Sequence, residues 1–204
     1  MHTEIFDTRQ KELLPHLSVF NRSFYLVGGT AIALYLGHRR SIDFDLFTKS
    51  TLVKHRLKKK LIQLPFSQSV IFEDVDQLHL LVNNVKTTFF QYPYPIQHSK
   101  KDLAYFSMPS LLTLAAMKAF ALGRRAKWKD YVDLYFIIKD HYGIEEISSE
   151  SRKIFGDLFS EKLFRQQLAY HKDIDYTEEV EYLTTPVPNK IIKDFLIEEA
   201  IKFI

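Results

Sequence analysis

The chain has 204 residues, of which 46% are hydrophobic and 26% charged, the balance of a globular protein and not of a disordered one. It contains no cysteine, which excludes disulfides and thiolate metal sites and is compatible with a reducing cytoplasm. No apolar run approaches the ~20 residues that a membrane span needs, and the first residues lack a signal-peptide pattern, so we expect a cytoplasmic protein. The net charge of +3 permits a polyanionic partner without requiring one.

The first half of the chain alternates between helical and strand-like patterns. Apolar periodicity predicts helices over 4–19, 30–36 and 48–64, and short apolar or alternating runs predict strands over 24–27 and 41–47. Runs rich in Val, Ile, Phe and Thr predict three further strands, with Asn83-Asn84 as a tight turn between the last two; these strands are 69–74, 77–82 and 85–92. The following prolines end the sheet because proline cannot continue a ladder.

From Pro109 onward the pattern becomes helical. We expect an end of one helix at His141-Tyr142-Gly143, irregular structure over 173–188, and helices over 111–122, 131–139, 148–170 and 189–204. Helices that segregate from a small mixed sheet indicate an α+β fold. We divide the chain into a core domain, residues 1–100, and a helical region, residues 101–204, with a loose boundary over 96–108.

The most informative stretch is a glycine turn. Gly28 and Gly29 follow a predicted strand, and Thr30 begins a predicted helix. Two glycines let the backbone turn tightly and approach a ligand closely. The start of the helix adds free N–H groups and the positive end of the helix dipole, so the turn predicts a phosphate site. A Gly-Gly pair by itself is more often an ordinary turn.

Two aspartates occupy the strand that follows. Asp43 and Asp45 are two residues apart, so they project from one face, with Phe44 and Leu46 on the other. Adjacent carboxylates repel unless a cation lies between them, and their hard oxygen atoms suit Mg²⁺ or Mn²⁺. Alone, such a pair is equally typical of a solvated edge. A phosphate turn and a metal pair linked by one short helix together indicate nucleotide chemistry.

Basic residues recur in the C-terminal half. If one helix continues through the segment, a rotation of about 100° per residue places four charged side chains on one stripe; these are Lys118, Arg125, Lys129 and Asp133. If the helix breaks near Gly123, Asp130 is instead a natural cap for a helix through Tyr131. The sequence leaves both alternatives open. Such a stripe is ordinarily a solvated face. Its functional interpretation is a triphosphate clamp, since Lys supplies a point charge and Arg a bidentate fork.

These motifs resemble a known superfamily. Gly28-Gly29 with Asp43-Phe44-Asp45 is similar to the G-[GS]…D-x-D signature of the DNA polymerase β-like nucleotidyltransferases. With His38-Arg39-Arg40-Ser41-Ile42 before the aspartates, the chain resembles more closely the AbiEii/AbiGii toxin family, the toxin half of type IV toxin–antitoxin and abortive-infection systems. Downstream, Lys118-x-x-Ala121-Leu122, Arg125, Lys129-Asp130 and Asp133-Leu134 are similar to that family's K…R…KD..DL motifs.

The resemblance implies a polymerase β-like core and a helical region that packs on it and completes the active site. It implies transfer of a nucleoside monophosphate from an NTP, with Mg²⁺ or Mn²⁺, to an acceptor such as tRNA, other RNA or protein, and a cognate antitoxin. The implied catalytic residues are Asp43, Asp45, Lys118 and Asp130. Of these, Asp43 and Asp45 are also implied to bind the metal. The implied nucleotide-binding residues are Gly28, Gly29, Thr30, Ser41 and Arg125. Asp133 is expected to orient a neighbouring cation or to cap a turn.

The chain departs from the superfamily pattern at one position. Polymerase β-like enzymes generally carry a third carboxylate on a later strand, where this chain has Thr88. Threonine cannot take a proton at neutral pH and is a poor metal ligand. Glu73, Asp74 and Asp76 could substitute, although loop solvation explains them as well. The departure leaves open a degenerate nucleotide-binding or scaffold protein without activity, and the shared metal site leaves open a small-molecule nucleotidyltransferase of the antibiotic-modifying type.

Two further groups of residues have ordinary explanations. The basic run over residues 54–60 is typical of a solvated helix face, with contact to an RNA backbone as its functional alternative. The histidines at 38, 55, 79 and 98 show no spacing of metal ligands, so we assign them no zinc.

Overall fold

The structure, a computed structural model, describes residues 1–99 and 105–202. These residues belong to an N-terminal unit, Met1–Pro109, and a C-terminal unit, Ser110–Ile204. The domain boundary predicted at residue 100 and the predicted end of the last helix at residues 203–204 lie outside the described residues. None of the helices in the described part has the length and hydrophobicity of a membrane-spanning segment.

A mixed sheet forms the centre of the N-terminal unit. Its strands are β1 (Tyr25–Val27), β2 (Phe44–Thr48), β3 (Gln68–Asp74), β4 (Gln77–Val82) and β5 (Val85–Gln91), in the spatial order β1-β2-β5-β4-β3. β2 and β5 are parallel, and the other neighbours are antiparallel. Asn83 and Asn84 have φ values of 52° and 60°, which is the left-handed geometry of a two-residue hairpin turn, so the predicted tight turn is confirmed.

The helices of this unit are α1 (Thr8–Leu17), α2 (Gly28–Leu36) and α3 (Lys54–Leu61). α1 starts at Thr8 because Asp7 and Gln10 form a reciprocal capping box at its beginning. It is shorter than the predicted helix over 4–19 because 3₁₀ turns flank it at both ends. α3 is likewise shorter than predicted, since Thr48 still belongs to β2.

The two faces of the sheet differ in burial. Phe44 and Leu46 of β2 are 1% and 0% exposed, and the Phe89 ring of β5 packs edge-on against Phe20 and Phe24 with centroids 5.1 Å apart. Apolar burial of this kind contributes about 1.5–3 kcal/mol per large side chain. The intervening residues of β2 point to the other face and are partly exposed. This second face, called the open face here, is the one that can meet a ligand.

The C-terminal unit is helical. It contains α4 (Leu111–Leu122), α5 (Trp128–Asp140), α6 (Ile144–Phe155), α7 (Glu161–Ala169) and α8 (Asn189–Ile201). The single helix predicted over 148–170 is wrong, because Gly156 takes a φ of +56° and a 3₁₀ turn follows it before α7 begins. The irregular segment over 173–188 is confirmed. With the mixed sheet, these helices give the predicted α+β class.

Candidate active site

The glycine turn is held in a shape that only glycine fits. Gly28, the first residue of α2, has a φ of +72°, and a Cβ atom built on it would lie 2.1 Å from Oδ2 of Asp45. A Cβ on Gly29 would lie 2.7 Å from Nη2 of Arg39. Val27, at the N-cap of α2, has no side-chain acceptor, so the first-turn N–H groups are not capped by it. The turn therefore combines a close approach to a carboxylate with the positive end of a helix.

A buried hydrogen-bond network holds the segment that carries the aspartates. The Thr30 hydroxyl, 1% exposed, donates to the main-chain carbonyl of Asp43 and is hydrogen-bonded to the Ser41 hydroxyl at 2.9 Å. The Gln10 side chain of α1 donates to the Ser41 carbonyl at 2.7 Å. Thr30 and Ser41 were predicted to bind the triphosphate, and their hydroxyls are engaged with the protein. Any contact of Thr30 with phosphate would then come from its main-chain N–H.

Asp43 and Asp45 project from the open face as the strand pattern predicts. Asp45 lies in β2, and Asp43 comes immediately before it, because the strand starts at Phe44 and not at residue 41. Oδ2 of Asp43 lies 3.6 Å from the ammonium of Lys86, and both side chains are partly exposed, at 32% and 41%. Sequence reasoning gave Lys86 no role. In the β2–β5 register Phe44 is opposite Thr87, so Lys86 is the neighbour of Asp43 on β5.

The donor set fits a divalent cation of the magnesium type. Mg²⁺ in proteins usually takes one or two carboxylates and completes its octahedron with water and substrate phosphates. Two carboxylates on the open face, of which that of Asp45 lies against the start of α2, match that requirement. Within residues 1–99 and 105–202 no group of three or more acidic, His or Cys side chains is arranged around a common metal position. Water and the phosphates of a bound nucleotide would supply the remaining ligands.

A buried arginine, Arg39, lies beside the glycine turn, and it was not assigned a role from the sequence. Arg39 is 2% exposed, its guanidinium packs beside Gly29, and Nη1 donates to the Arg40 carbonyl at 2.8 Å. A buried guanidinium next to the start of α2 adds to the positive potential at the turn. The sequence signal was present in the Arg39-Arg40 pair. It lies between regular elements, however, where periodicity predicts no direction for a side chain.

The C-terminal unit contains a buried ion cluster. Lys118 of α4, 6% exposed, places its ammonium 2.7 Å from Asp130 and 3.0 Å from Asp133, both on α5. Arg125 donates from Nε to the second oxygen of Asp130 at 3.0 Å, and its side chain is 54% exposed. Two cations and two carboxylates balance in charge. Asp133 orients the Lys118 ammonium, which agrees with the role expected for it.

The environment of Asp130 sets its ionisation. Burial opposes the charged form, but the Lys118 ammonium and the Arg125 guanidinium more than offset that effect, so the pKa of Asp130 lies below its ordinary value. Asp130 is therefore a carboxylate at neutral pH and a weak proton acceptor. Its geometry suits holding a cation or orienting a partner better than removing a proton.

The structure decides between the two alternatives for this segment. α4 ends at Leu122 and α5 begins at Trp128, so the break near Gly123 is confirmed and no continuous helix aligns the four charges in one stripe. Lys129 instead lies 3.6 Å from Glu178. The cap role that the second alternative gave Asp130 is wrong. Asp130 does not cap α5, whose N-cap is Lys127; it is the third residue of the helix, and its carboxylate is taken by Lys118 and Arg125.

The basic run of α3 faces acids of the neighbouring hairpin. Lys58 lies 2.5 Å and Lys54 3.6 Å from Glu73 of β3. The remaining basic residues, His55, Arg56, Lys59 and Lys60, are exposed. Two of the six basic residues of the run thus form surface ion pairs with Glu73, which is the ordinary explanation for them.

Comparison with solved structures identifies the fold. MenT4, a nucleotidyltransferase toxin from Mycobacterium tuberculosis H37Rv, matches with a TM-score of 0.64 and 16% identity over 94% of this chain and 80% of that one. A proposed nucleotidyltransferase from H. pylori matches with a TM-score of 0.57 and 16% identity over 94% and 90%. The fold is that of the polymerase β-like nucleotidyltransferases.

Comparison of sequences identifies the family to which the chain belongs. The model of the nucleotidyl transferase AbiEii toxin of type IV toxin–antitoxin systems matches residues 12–99. An uncharacterized protein of Aquifex aeolicus (strain VF5) is 31% identical over 157 residues, which cover 74% of each of the two chains. The chain belongs to the AbiEii nucleotidyltransferase toxin family, as its motifs predicted. Membership implies a cognate antitoxin.

Proposed function

We propose that the chain is a Mg²⁺- or Mn²⁺-dependent nucleotidyltransferase that moves a nucleoside monophosphate from an NTP to a macromolecular acceptor, as a cytoplasmic toxin. One observation carries the proposal: Asp43 and Asp45 share the open face, and the Asp45 carboxylate lies against the glycine at which α2 begins. The proposed metal ligand Asp45 thus lies beside the N–H groups proposed to bind phosphate, an arrangement that a metal-bound nucleotide requires.

Each residue has a role in that reaction. Asp43 and Asp45 would hold the cation, which when bound screens the charge of the triphosphate. The first turn of α2, with Gly28, Gly29 and the Thr30 N–H, would hold phosphate oxygens, and Ser41 would keep the aspartate segment in place through Thr30. Positioning and charge stabilisation are the main sources of rate in phosphoryl transfers.

We propose a role in the same reaction for three residues of the ion cluster, as the family resemblance implies. Arg125 is half exposed and can turn a guanidinium towards phosphate, whereas Lys118 is enclosed by two carboxylates. Arg125 would therefore neutralise charge on the leaving pyrophosphate, with Lys118 fixing the electrostatics beside it. Asp130 would position the acceptor, because its lowered pKa makes it a poor base.

The acceptor class is argued from charge. Exposed Arg and Lys side chains on α3 favour a polyanion such as tRNA or another RNA. A cationic small molecule, the acceptor of an antibiotic-modifying enzyme, would instead need an acidic surface. RNA is therefore the proposed acceptor. Labelling distinguishes it from the alternative acceptor, a hydroxyl group of a protein.

A second candidate is a nucleotide-binding protein without transfer activity. Thr88 lies opposite Asp45 in the β2–β5 register, at a place where a proton acceptor would be useful, and threonine is not one. This candidate keeps metal-dependent binding and loses only chemistry.

Labelling with each nucleotide tests the proposal. The protein is incubated with Mg²⁺, each α-labelled NTP and either total RNA or RNA-free lysate. We expect the label in RNA, and we expect Asp43→Asn to abolish it while the melting temperature changes little, because the Asp43–Lys86 pair is an exposed one. Asp157→Asn, an exposed acid of the C-terminal unit, is the matched control. Undiminished labelling by Asp43→Asn would refute the assignment, and binding without any labelling would favour the second candidate.

A further inference from the structure

Four side chains form a row across the open face of the sheet. Asp45 of β2 is the register partner of Thr88 of β5, Thr88 is the partner of His79 of β4, and His79 is the partner of Phe72 of β3. Register partners project to the same side of a sheet. The row therefore leads from a proposed metal ligand through a hydroxyl to an imidazole.

Hydrogen bonds define the state of the imidazole. Nε2 of His79 lies 2.8 Å from the amide oxygen of Gln77, and Nδ1 lies 3.4 Å from the hydroxyl of Thr88. An amide oxygen only accepts, so in this network Nε2 carries the hydrogen. Nδ1 of the neutral ring is then an acceptor aimed at the Thr88 hydroxyl. Gln77 thus selects the tautomer that can receive a proton from the direction of Thr88.

The surroundings keep the ring neutral. Burial, followed by the positive charge of Lys86, lowers the pKa of His79 below its ordinary value. The groups around the ring are Phe72 of β3, packed edge-on with centroids 5.7 Å apart, and Lys86 and Thr88 of β5. Along the same face, beyond Thr88, lie the carboxylates of Asp45 and Asp43. Lys86 is paired with Asp43 at 3.6 Å.

The proposed reaction needs a proton acceptor that the assigned residues do not supply. Asp43 and Asp45 would be committed to metal, and Asp130 is a carboxylate of lowered pKa with both oxygens in ion pairs. Thr88 stands opposite Asp45 but has no basic atom. His79 is a neutral base in hydrogen-bond contact with Thr88.

We propose that Thr88 and His79 form the proton relay of the transfer reaction, an inference that rests on the proposed function. The acceptor hydroxyl would meet the Thr88 oxygen at the 6% of that residue that is exposed. As the acceptor oxygen bonds to the α-phosphorus, its proton passes to the Thr88 oxygen while Thr88 gives its own proton to Nδ1 of His79. The bond between the α-phosphorus and the bridging oxygen breaks, and pyrophosphate leaves with that electron pair. The imidazolium then holds the transferred proton and donates its Nε2–H to Gln77.

The relay is tested by His79→Asn, which can keep a polar partner for Thr88 but cannot take a proton. We expect kcat to fall about 10²- to 10⁴-fold, the usual contribution of general base catalysis, with the KM for NTP and the nucleotide-induced rise in melting temperature unchanged. The wild-type rate should fall as the pH drops through a value below the ordinary 6.5 of histidine, and this decrease should be missing in the variant. His141→Asn, at an exposed histidine that follows α5, is the matched control.

Variants of Thr88 separate a relay from a structural role. Thr88→Val removes the hydroxyl at nearly constant volume and should lower kcat as much as His79→Asn, whereas Thr88→Ser should restore it. Thr88→Asp places a carboxylate opposite Asp45, so adding His79→Asn to it should cause no further loss. Nitrogen-15 spectra of the histidine ring provide a readout apart from activity, and they should show the hydrogen on Nε2.

The outcomes distinguish this inference from the proposed function. A wild-type chain that transfers nucleotide while His79→Asn keeps its kcat and the decrease in rate at low pH overturns the relay alone. A ring with its hydrogen on Nδ1 does the same. A wild-type chain that transfers nothing to any acceptor overturns both.

Discussion

The Asp45 carboxylate fills the space that a side chain at position 28 would need, since a Cβ on Gly28 would lie 2.1 Å from its Oδ2. This contact joins the two motifs of the N-terminal unit. The glycine is there to admit the carboxylate, and the carboxylate is thereby held at the start of α2. A change at either residue should be felt at the other.

Gly28→Ala should disrupt the glycine turn that is proposed to bind phosphate. An alanine at a φ of +72° is strained, and its methyl group would displace Asp45, so we expect a loss of about 1–3 kcal/mol in the free energy of unfolding. Metal-dependent stabilisation by NTP should vanish. Gly123→Ala is the control, because its Cβ would meet its nearest neighbour at 3.7 Å. Thermal melts with and without Mg²⁺-NTP measure both effects, and equal nucleotide stabilisation of Gly28→Ala and wild type would show that the glycine turn does not bind phosphate.

Lys118→Met should destabilise the C-terminal unit strongly. It leaves Asp130 and Asp133, 3% and 0% exposed, without the ammonium between them. Loss of one partner from a buried ion cluster usually lowers the free energy of unfolding by about 3–5 kcal/mol. Lys153→Met, with a side chain that is 71% exposed, should change it by less than about 1 kcal/mol. Urea unfolding of the two variants checks this, and similar losses would be inconsistent with a buried cluster.

Asp130 should make the free energy of unfolding decrease at acidic pH. Its folded pKa lies below the ordinary 3.8, so its contribution is present above that pH and is lost as the pH falls through the folded value. The stability gap between wild type and Asp130→Asn should therefore be constant near neutrality and narrow below about pH 4. Unfolding curves from pH 7 to pH 2 measure the gap. A gap that widens with acid would reverse the sign and exclude this environment.

Lys86→Ala should strengthen metal binding. The Lys86 ammonium lies 3.6 Å from Asp43 and competes with any cation there. An exposed pair of this kind contributes about 0.2–1 kcal/mol, so the apparent Kd for Mn²⁺ should fall by about 1.4- to 5-fold. Lys49→Ala, an exposed lysine just after β2, is the control. Weaker binding in Lys86→Ala would mean that Lys86 supports the site and does not compete for it.

The sequence predicted most of the elements because each had a strong local signal. Alternation placed Asp43 and Asp45 on one face, and the Asn83-Asn84 turn and the helix at Leu111–Leu122 carry their own signals. The interruption after Phe155 was missed, since Gly156 is a single glycine within a helical pattern and periodicity does not predict its φ of +56°.

The relations between distant residues could not be predicted in the same way. The Lys118 cluster depends on where the chain turns between α4 and α5, and the sequence allowed two geometries for that turn. The contacts of Lys86 and His79 depend on the order in which strands pair, which periodicity does not specify. Position 88 carries threonine where polymerase β-like enzymes generally carry a carboxylate. The sequence does not show that His79 lies beside Thr88, because that contact depends on the register of β4 and β5.

Calorimetric titration of Mn²⁺ in the presence of a non-hydrolysable NTP measures the proposed metal site itself. We expect saturable binding by the wild type and by Asp157→Asn, and a loss of at least about tenfold in affinity for Asp43→Asn and for Asp45→Asn, because each would remove one of two protein ligands. Wild-type affinity in either aspartate variant would contradict a divalent cation held in front of the glycine turn.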